Sequence, residues 1–241
     1  MFFIFYSKIL GVRNMSNLIK MFVGCVLLNT SLSVIAAGGI GLGATRVIYP
    51  TQATKIPLLL RNTSEHHFLI SSWVEDSKGE KTKDFIITPP LYVSKPKTEN
   101  SLQIVKILDN FPSDREKIYY VNVKAVPSTK KEKLDGTSSL QLAVLSNIKL
   151  FVRPENLKPI DNIEDSVLIY KKNDEVYLKN PTPFYINITQ AYINSSLVKQ
   201  TIMLEPYTDF KLNQNNVKDF EFKVINDYGG FSKKVKLILN D

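Results

Sequence analysis

Short runs in which apolar and polar residues alternate make up most of the chain from Gly39 onward, and turn-forming residues separate them. Such alternation predicts half-buried β-strands, because successive side chains of a strand point to opposite faces of its sheet. No segment has an apolar stripe with helical spacing over three turns. In the first half, the pattern predicts strands over residues 47–49, 56–60, 68–74, 85–87, 118–126 and 140–152.

A polar segment over residues 154–162 interrupts this pattern and contains Pro154 and Pro159. It predicts a linker, after which strands resume over residues 168–170, 175–179, 185–192, 203–204, 220–225 and 234–239. Several short strands in a little over 100 residues are typical of an immunoglobulin-like sandwich. The chain is therefore predicted to be all-β, with one sandwich domain over residues 39–155 and a smaller one over 156–241.

The first 38 residues have a different character. They contain three basic and no acidic residues, and an apolar run over residues 21–35 ends in Ala36, Ala37 and Gly38. This order is typical of a secretory signal peptide, and the run is shorter than the roughly 20 apolar residues that span a membrane. We interpret residues 1–38 as a signal peptide with an N-terminal extension, for which Met15 is an alternative start. A single N-terminal membrane anchor is the other interpretation.

The composition excludes several kinds of chemistry. Cys25 is the only cysteine and lies inside the predicted signal, so thiol catalysis and thiolate metal sites are not expected in the mature chain. Removal of the signal would lower the formal charge from +8 to +5, which is too little to predict binding of nucleic acid. The two histidines, His66 and His67, are adjacent and would point to opposite faces of a strand, which does not favour joint metal binding.

No catalytic motif is present in the sequence. The glycine-rich segment 39–43 has no predicted strand before it and no helix after it, so we interpret it as a flexible mature N-terminus and not as a dinucleotide loop. No serine lies in a Gly-x-Ser-x-Gly elbow. We expect no enzymatic activity, no cofactor and no metal site.

The predicted strand over 140–148 has an apolar face formed by Leu140, Leu142, Val144 and Ile148. The alternation alone leaves two interpretations open. This face can be part of the core of a central strand, or the strand can be an exposed edge that pairs with another chain. Edge strands are normally protected against such pairing, so an unprotected apolar edge would need a partner.

Six motifs in order, at residues 43–50, 88–91, 114–116, 148–154, 180–184 and 225–229, together resemble the periplasmic pilus chaperones of the chaperone–usher pathway. The loop before the predicted strand over 140–148, which corresponds to the donor strand of these chaperones, is short and has no cysteines. In this respect the chain is similar to the short-loop branch of the family. The resemblance implies two immunoglobulin-like domains in an L-shaped arrangement. It also implies a periplasmic chaperone that binds, folds and caps pilus subunits by donor-strand complementation and delivers them to an outer-membrane usher. The alternative is a secreted immunoglobulin-like adhesion or carbohydrate-binding module.

The resemblance also assigns roles to particular residues. It implies that Arg46 and Lys149 bind the C-terminal carboxylate of a subunit, a task that suits an arginine fork and a lysine point charge. The residues that the family inserts into a subunit correspond to Leu140, Leu142 and Val144. The free protein could also associate with itself through this edge. No binding of nucleic acid is expected, and no membrane insertion after signal cleavage. An ionic network between the domains would consist of Glu116, Arg153 and Asp227.

The resemblance further implies a proline turn at Pro89-Pro90. Cis peptide bonds are essentially confined to proline, so one is plausible at this turn, and the sequence leaves open whether the bond between these two prolines is cis.

Overall fold

The computed structural model describes residues 38–128, 142–214 and 216–239. Residues 1–37 of the predicted signal peptide and Leu140 of the predicted donor strand lie outside these ranges. The described residues are all-β apart from a single 3-10 turn at Ile163–Ser166. None of their helices is long and apolar enough to cross a membrane.

The first domain is a sandwich of two sheets. One is four-stranded with the order β1-β3-β7-β5, and the other is five-stranded with the order β2-β9-β8-β4-β6. Their strands are β1 (Ile40–Leu42), β2 (Arg46–Pro50), β3 (Lys55–Asn62), β4 (Phe68–Glu75), β5 (Phe85–Thr88), β6 (Leu91–Ser94), β7 (Glu99–Lys106), β8 (Lys117–Pro127) and β9 (Val144–Arg153).

The second domain is also a sandwich. Its three-stranded sheet has the order β10-β11-β15, and its other sheet has the order β13-β12-β16-β17, with β14 added to β12. These strands are β10 (Leu168–Lys172), β11 (Glu175–Lys179), β12 (Ile186–Ile193), β13 (Ser196–Leu197), β14 (Ile202–Leu204), β15 (Asp209–Leu212), β16 (Asp219–Val224) and β17 (Val235–Ile238).

Each domain has its own apolar core between its two sheets, as the alternating pattern requires. In the first domain, the ring of Phe85 packs edge-on against Tyr49 and Tyr119, with centroid distances of 5.1 Å in both cases. In the second domain, Phe220 and Phe222 are fully buried neighbours on the inner face of β16. Most predicted strands are therefore present, with ends that differ by a few residues.

The prediction of a flexible N-terminus over residues 39–43 was wrong. Ile40–Leu42 forms strand β1, which pairs antiparallel with the end of β3. The Gly39 amide also donates a hydrogen bond to Thr63 Oγ1 at 3.0 Å, and Ile40 and Leu42 pack against the first core. Two apolar side chains spaced by one glycine are enough to hold a short edge strand on this core.

The proline turn contains a cis peptide bond. It joins Thr88 to Pro89, and the bond between Pro89 and Pro90 is not cis. The tertiary amide that removes the strong trans preference is formed by Pro89 with the residue before it. The turn links β5 to β6 and carries the chain from one sheet to the other.

Candidate functional site

A parallel pair of strands brings the two predicted anchor residues together. Strand β2 pairs with the second half of β9, and Arg46 is the register partner of Lys149. These residues are far apart in sequence, so only the pairing of the two strands makes them neighbours. The two cationic side chains therefore extend from directly paired positions, Arg46 on β2 and Lys149 on β9.

The environment of Arg46 leaves part of its guanidinium group free to bind a ligand. Its Nη1 donates a hydrogen bond to the carbonyl oxygen of Ile225 at 3.1 Å, whereas its Nε is buried and has no hydrogen-bond partner among the described residues. Burial lowers the pKa of Arg46, and the carboxylate of Asp227 partly opposes this effect. A buried, unsatisfied donor on a cation favours an anionic ligand.

Lys149 is also partly withdrawn from water. Its Nζ donates a hydrogen bond to Oδ1 of Asn187 in the second domain. Burial lowers the pKa of Lys149, and the neighbouring positive charge of Arg46 lowers it further. Binding of a carboxylate beside both groups would relieve their repulsion and offset their desolvation.

Arg46 borders a cleft of about 290 Å³ that residues of both domains line, and the cleft also includes Asn187, the hydrogen-bond partner of Lys149. The lining includes Arg46, Phe151 and Arg153 from the first domain and Tyr185, Asn187 and Ile225 from the second.

The predicted ionic network is present as a set of contacts between the domains. Arg153 Nε donates to Glu116 Oε1 at 2.7 Å, and its two terminal nitrogens donate to the carboxylate of Asp227 at 2.7 and 2.9 Å. The second oxygen of Glu116 accepts the backbone N–H of Tyr185 at 2.8 Å. Burial raises the pKa of Glu116, against the opposing effect of Arg153. Arg153 therefore lies between the two carboxylates, and Glu116 also binds the backbone of the second domain.

A tight turn holds Asp227 in place beside the cleft. The side-chain oxygen of Asn226 accepts the backbone N–H groups of Tyr228 and Gly230 at 3.1 and 2.8 Å. Gly229 has a φ of +84°, and a Cβ there would lie 2.6 Å from Thr45 Oγ1. Only glycine combines this left-handed conformation with so close an approach. The turn is therefore packed directly against the residue that precedes Arg46.

The first half of β9 has an open edge. Residues 144–148 pair with β8, but β2 begins only at Arg46, opposite Lys149, so within the described ranges no strand pairs with their other side. Leu142 is 68% exposed and Val144 is 51% exposed, whereas Ile148 packs against the core. Leu142 and Val144 thus lie at the open edge, and Leu142 precedes the regular strand.

Other candidates for chemistry lie apart from this region. His66 and His67 are exposed in the loop between β3 and β4. Within residues 38–128, 142–214 and 216–239, no group of three or more His, Cys, Asp or Glu side chains could hold a metal ion.

Two contributors to the cleft were missed by the sequence analysis. Asn187 and the carbonyl of Ile225 each accept a hydrogen bond from one of the anchor cations. Asn187 interrupts an apolar run between Ile186 and Ile188, and a polar residue inside such a run is a signal for a buried polar contact. No sequence signal identifies a backbone carbonyl as a partner.

Two family models match the chain. The model described as "Pili and flagellar-assembly chaperone, PapD N-terminal domain" matches residues 39–158, and "Pili assembly chaperone PapD, C-terminal domain" matches residues 163–236. The chain belongs to the pilus assembly chaperone family. The resemblance that the six motifs indicated is thereby confirmed.

Individual relatives agree with this assignment. The chain is 38% identical over 214 residues to the probable fimbrial chaperone SfmC of Escherichia coli K12, which covers 87% of this chain and 93% of the relative. The crystal structure of the periplasmic chaperone SfaE is 34% identical, with a TM-score of 0.69 over 82% of this chain and 98% of that one. A structure of the Salmonella enterica SafA pilin in complex with the SafB chaperone gives a TM-score of 0.76 at 28% identity, over 85% and 98%.

The family assignment decides several of the predictions made from sequence. The fold of two immunoglobulin-like domains is confirmed, and so is a chaperone role in pilus assembly. Pilus assembly chaperones are non-enzymatic, so the prediction that the chain is not an enzyme is also confirmed. The assignment does not support the alternative of an adhesion or carbohydrate-binding module. The predicted domain boundary between residues 155 and 156 stays a prediction.

Proposed function

We propose that this pilus chaperone works in the periplasm, where it binds a pilus subunit through the open edge of β9 and through the cations Arg46 and Lys149. It then delivers the subunit to an outer-membrane usher. The observation that carries the proposal is the continuity of these two features along one strand. The unpaired edge over 144–148 leads directly to Lys149, which is paired with Arg46.

The edge can supply both affinity and fit. Its free backbone groups can pair with an incoming strand, and Leu142 and Val144 offer alternating apolar side chains to pockets in the partner. A subunit that lacks one strand of its own sandwich would present such a groove. Leu140 would extend the same alternation towards the loop.

The cations can fix the register of the partner. A strand that pairs along 144–148 and ends at the cleft would place its terminal carboxylate near the guanidinium of Arg46 and the ammonium of Lys149. Hydrogen bonds to such a charged group are shorter and stronger than neutral ones. The anchor would therefore select a chain end over an internal loop.

The periplasmic location has support from two sources. The sequence predicts a signal peptide over residues 1–38, and the similar protein SfaE is described as a periplasmic chaperone. In the SafA–SafB structure, a pilin and its chaperone form a complex. The role of the family in pilus assembly supports the proposed transfer to an usher.

The substitution Leu142→Glu tests the donor role. It should prevent recovery of pilus subunits with the chaperone, because about 1.5–3 kcal/mol of apolar burial is lost and a carboxylate must be desolvated in the partner's groove. The melting temperature of the free chain should stay nearly unchanged, since Leu142 is mostly exposed. The measurement combines co-purification from the periplasm with thermal unfolding of the purified variant.

Leu197→Glu is the matched control. Leu197 is 60% exposed on strand β13 of the second domain, so the same change is made on an equally accessible leucine away from the edge. Subunit recovery should match that of the wild type. If Leu142→Glu unfolds the first domain, or binds subunits as well as Leu197→Glu does, the donor role of β9 is wrong.

A further inference from the structure

The second domain provides an oxygen acceptor to each of the two anchor cations. Arg46 donates to the carbonyl of Ile225, and Lys149 donates to the side chain of Asn187. The backbone N–H of Ile225 in turn donates to the carbonyl of Asn187 at 2.9 Å. A backbone hydrogen bond within the second domain thus joins the two residues that supply the acceptors.

Asn187 is held rigidly within strand β12. It is only 2% exposed, between the core residues Ile186 and Ile188, and its register partner on β14 is Met203. A buried amide that is fixed by its strand has a defined direction, whereas the four-carbon stem of a lysine does not. Asn187 therefore has the fixed position in this contact, and its amide holds the flexible side chain of Lys149 in one orientation.

We propose that Asn187 is a positioning residue, whose amide oxygen holds the Lys149 ammonium beside Arg46 in the orientation that receives a chain-terminal carboxylate. This inference rests on the proposed function. Without the acceptor, repulsion from Arg46 would turn the flexible lysine away. Burial lowers the pKa of both cations, and the positive charge of Arg46 lowers the pKa of Lys149 further.

The absence of a charge on the Asn187 side chain is as important as its position. An amide orders the lysine but leaves its positive charge available to a ligand. An aspartate at the same place would form an ion pair with Lys149 and occupy the site from within. Asn187→Asp should therefore stabilise the free chaperone and weaken its binding of carboxylates, two effects of opposite sign.

The stability of the free protein gives the first test. Asn187→Asp should raise the melting temperature by about 2–4 °C, because the new carboxylate neutralises a crowded cation. In a Lys149→Met background the same change should lower the melting temperature, since a buried carboxylate then lacks its partner. If Asn187→Asp has the same effect in both backgrounds, the two side chains are not coupled and the proposal is overturned.

Binding gives the second test, with two synthetic probes. One is an acetylated ten-residue peptide of alternating valine and threonine with a free C-terminal carboxylate, and the other is the same peptide ending in an amide. Wild-type protein should prefer the carboxylate at least tenfold, by calorimetry, and Asn187→Asp should lose this preference. Asn194→Asp makes the same change at an exposed loop position after β12 and should keep it.

The outcomes separate this inference from the function on which it rests. If wild-type protein shows no preference for the carboxylate, the proposed anchor fails, and the stability comparison alone decides whether Asn187 holds Lys149. If the wild type prefers the carboxylate and Asn187→Asp prefers it equally, the anchor stands and the role of Asn187 is overturned.

Discussion

The two arginines of the cleft, Arg46 and Arg153, differ in how their nitrogens are used. The buried Nε of Arg46 has no partner in the described part of the chain, whereas Arg153 uses its nitrogens on two carboxylates. Arg46→Ala should therefore abolish subunit binding, at a cost of about 2–5 kcal/mol for a charge-assisted contact to a carboxylate. The melting temperature should change little, because repulsion from Lys149 is removed together with the bond to Ile225.

Arg61→Ala is the control for this change. Arg61 lies on strand β3 in the other sheet of the first domain and forms an exposed pair with Glu99, and such pairs contribute little to stability. Its removal should leave subunit recovery from the periplasm unchanged. Normal recovery with Arg46→Ala would contradict the anchor.

The same contrast shows which residues could be predicted from sequence. Arg46 and Lys149 were assigned through motifs, and the strand register then made them neighbours. Asn187 could not be assigned in this way, because its contact with Lys149 depends on how the two sandwiches meet. A single sequence contains no local signal for that geometry, and the polar interruption at Asn187 indicates only that some partner exists.

At the scale of elements, β9 consists of two halves with different neighbours. The outward-facing amides of residues 144–148 have no partner strand in the part of the chain that the structure describes, whereas residues 149–152 lie between β8 and β2. In the free protein, these outward amides of 144–148 should exchange with deuterium faster than those of 149–152, since open edges are accessible to water. Addition of a subunit should slow exchange only in the first half. Exchange followed by NMR gives the comparison within one strand.

The second half of β9 is the internal reference in that experiment. Slow exchange along 144–148 in the free monomer, or exchange that a bound subunit does not change, would exclude strand addition at this edge. Slow exchange that appears only at high protein concentration would instead indicate the predicted self-association through the donor edge.

Elements were predictable where their residues alternate clearly and were missed where they do not. Strand β7, Glu99–Lys106, was missed because its outer face is polar and its inner apolar residues, Leu102 and Ile104, are few. Strand β1 was missed because glycines on both sides of Ile40 indicate flexibility when considered alone. Pairing with a neighbouring strand decides such cases, and pairing is not local.

For the molecule as a whole, contacts between the domains are concentrated around Arg153. Its ion pairs join Glu116 in the first domain to Asp227 in the second, and it lies 5.0 Å from the ring centroid of Phe184. Phe151 and Tyr185 add a ring contact at 5.7 Å across the same boundary. The L-shaped arrangement implied by the resemblance stays a prediction, and these contacts are where it can be tested.

Asp227→Asn tests whether this network sets the angle between the domains. The change keeps the shape of the side chain but removes the charge that faces Arg153, and it leaves Arg46 with less compensation. Because Asp227 is about half exposed, solvent screens part of the pair, and we expect a loss of about 1 kcal/mol and a melting temperature lower by about 2–4 °C. Small-angle scattering should show a broader distribution of domain angles, while carboxylate binding by Arg46 and Lys149 persists.

Asp174→Asn provides the matched comparison, since Asp174 is 95% exposed in its pair with Lys171 within the second domain. That variant should melt and scatter as the wild type does, because an isolated exposed pair contributes little to stability. A difference between the two variants assigns the effect to the position of the charge between the domains and not to the loss of one carboxylate. If Asp227→Asn leaves both the melting temperature and the scattering profile unchanged, Asp227 does not set the angle, and the remaining contacts between the domains, such as that of Phe151 with Tyr185, must hold it.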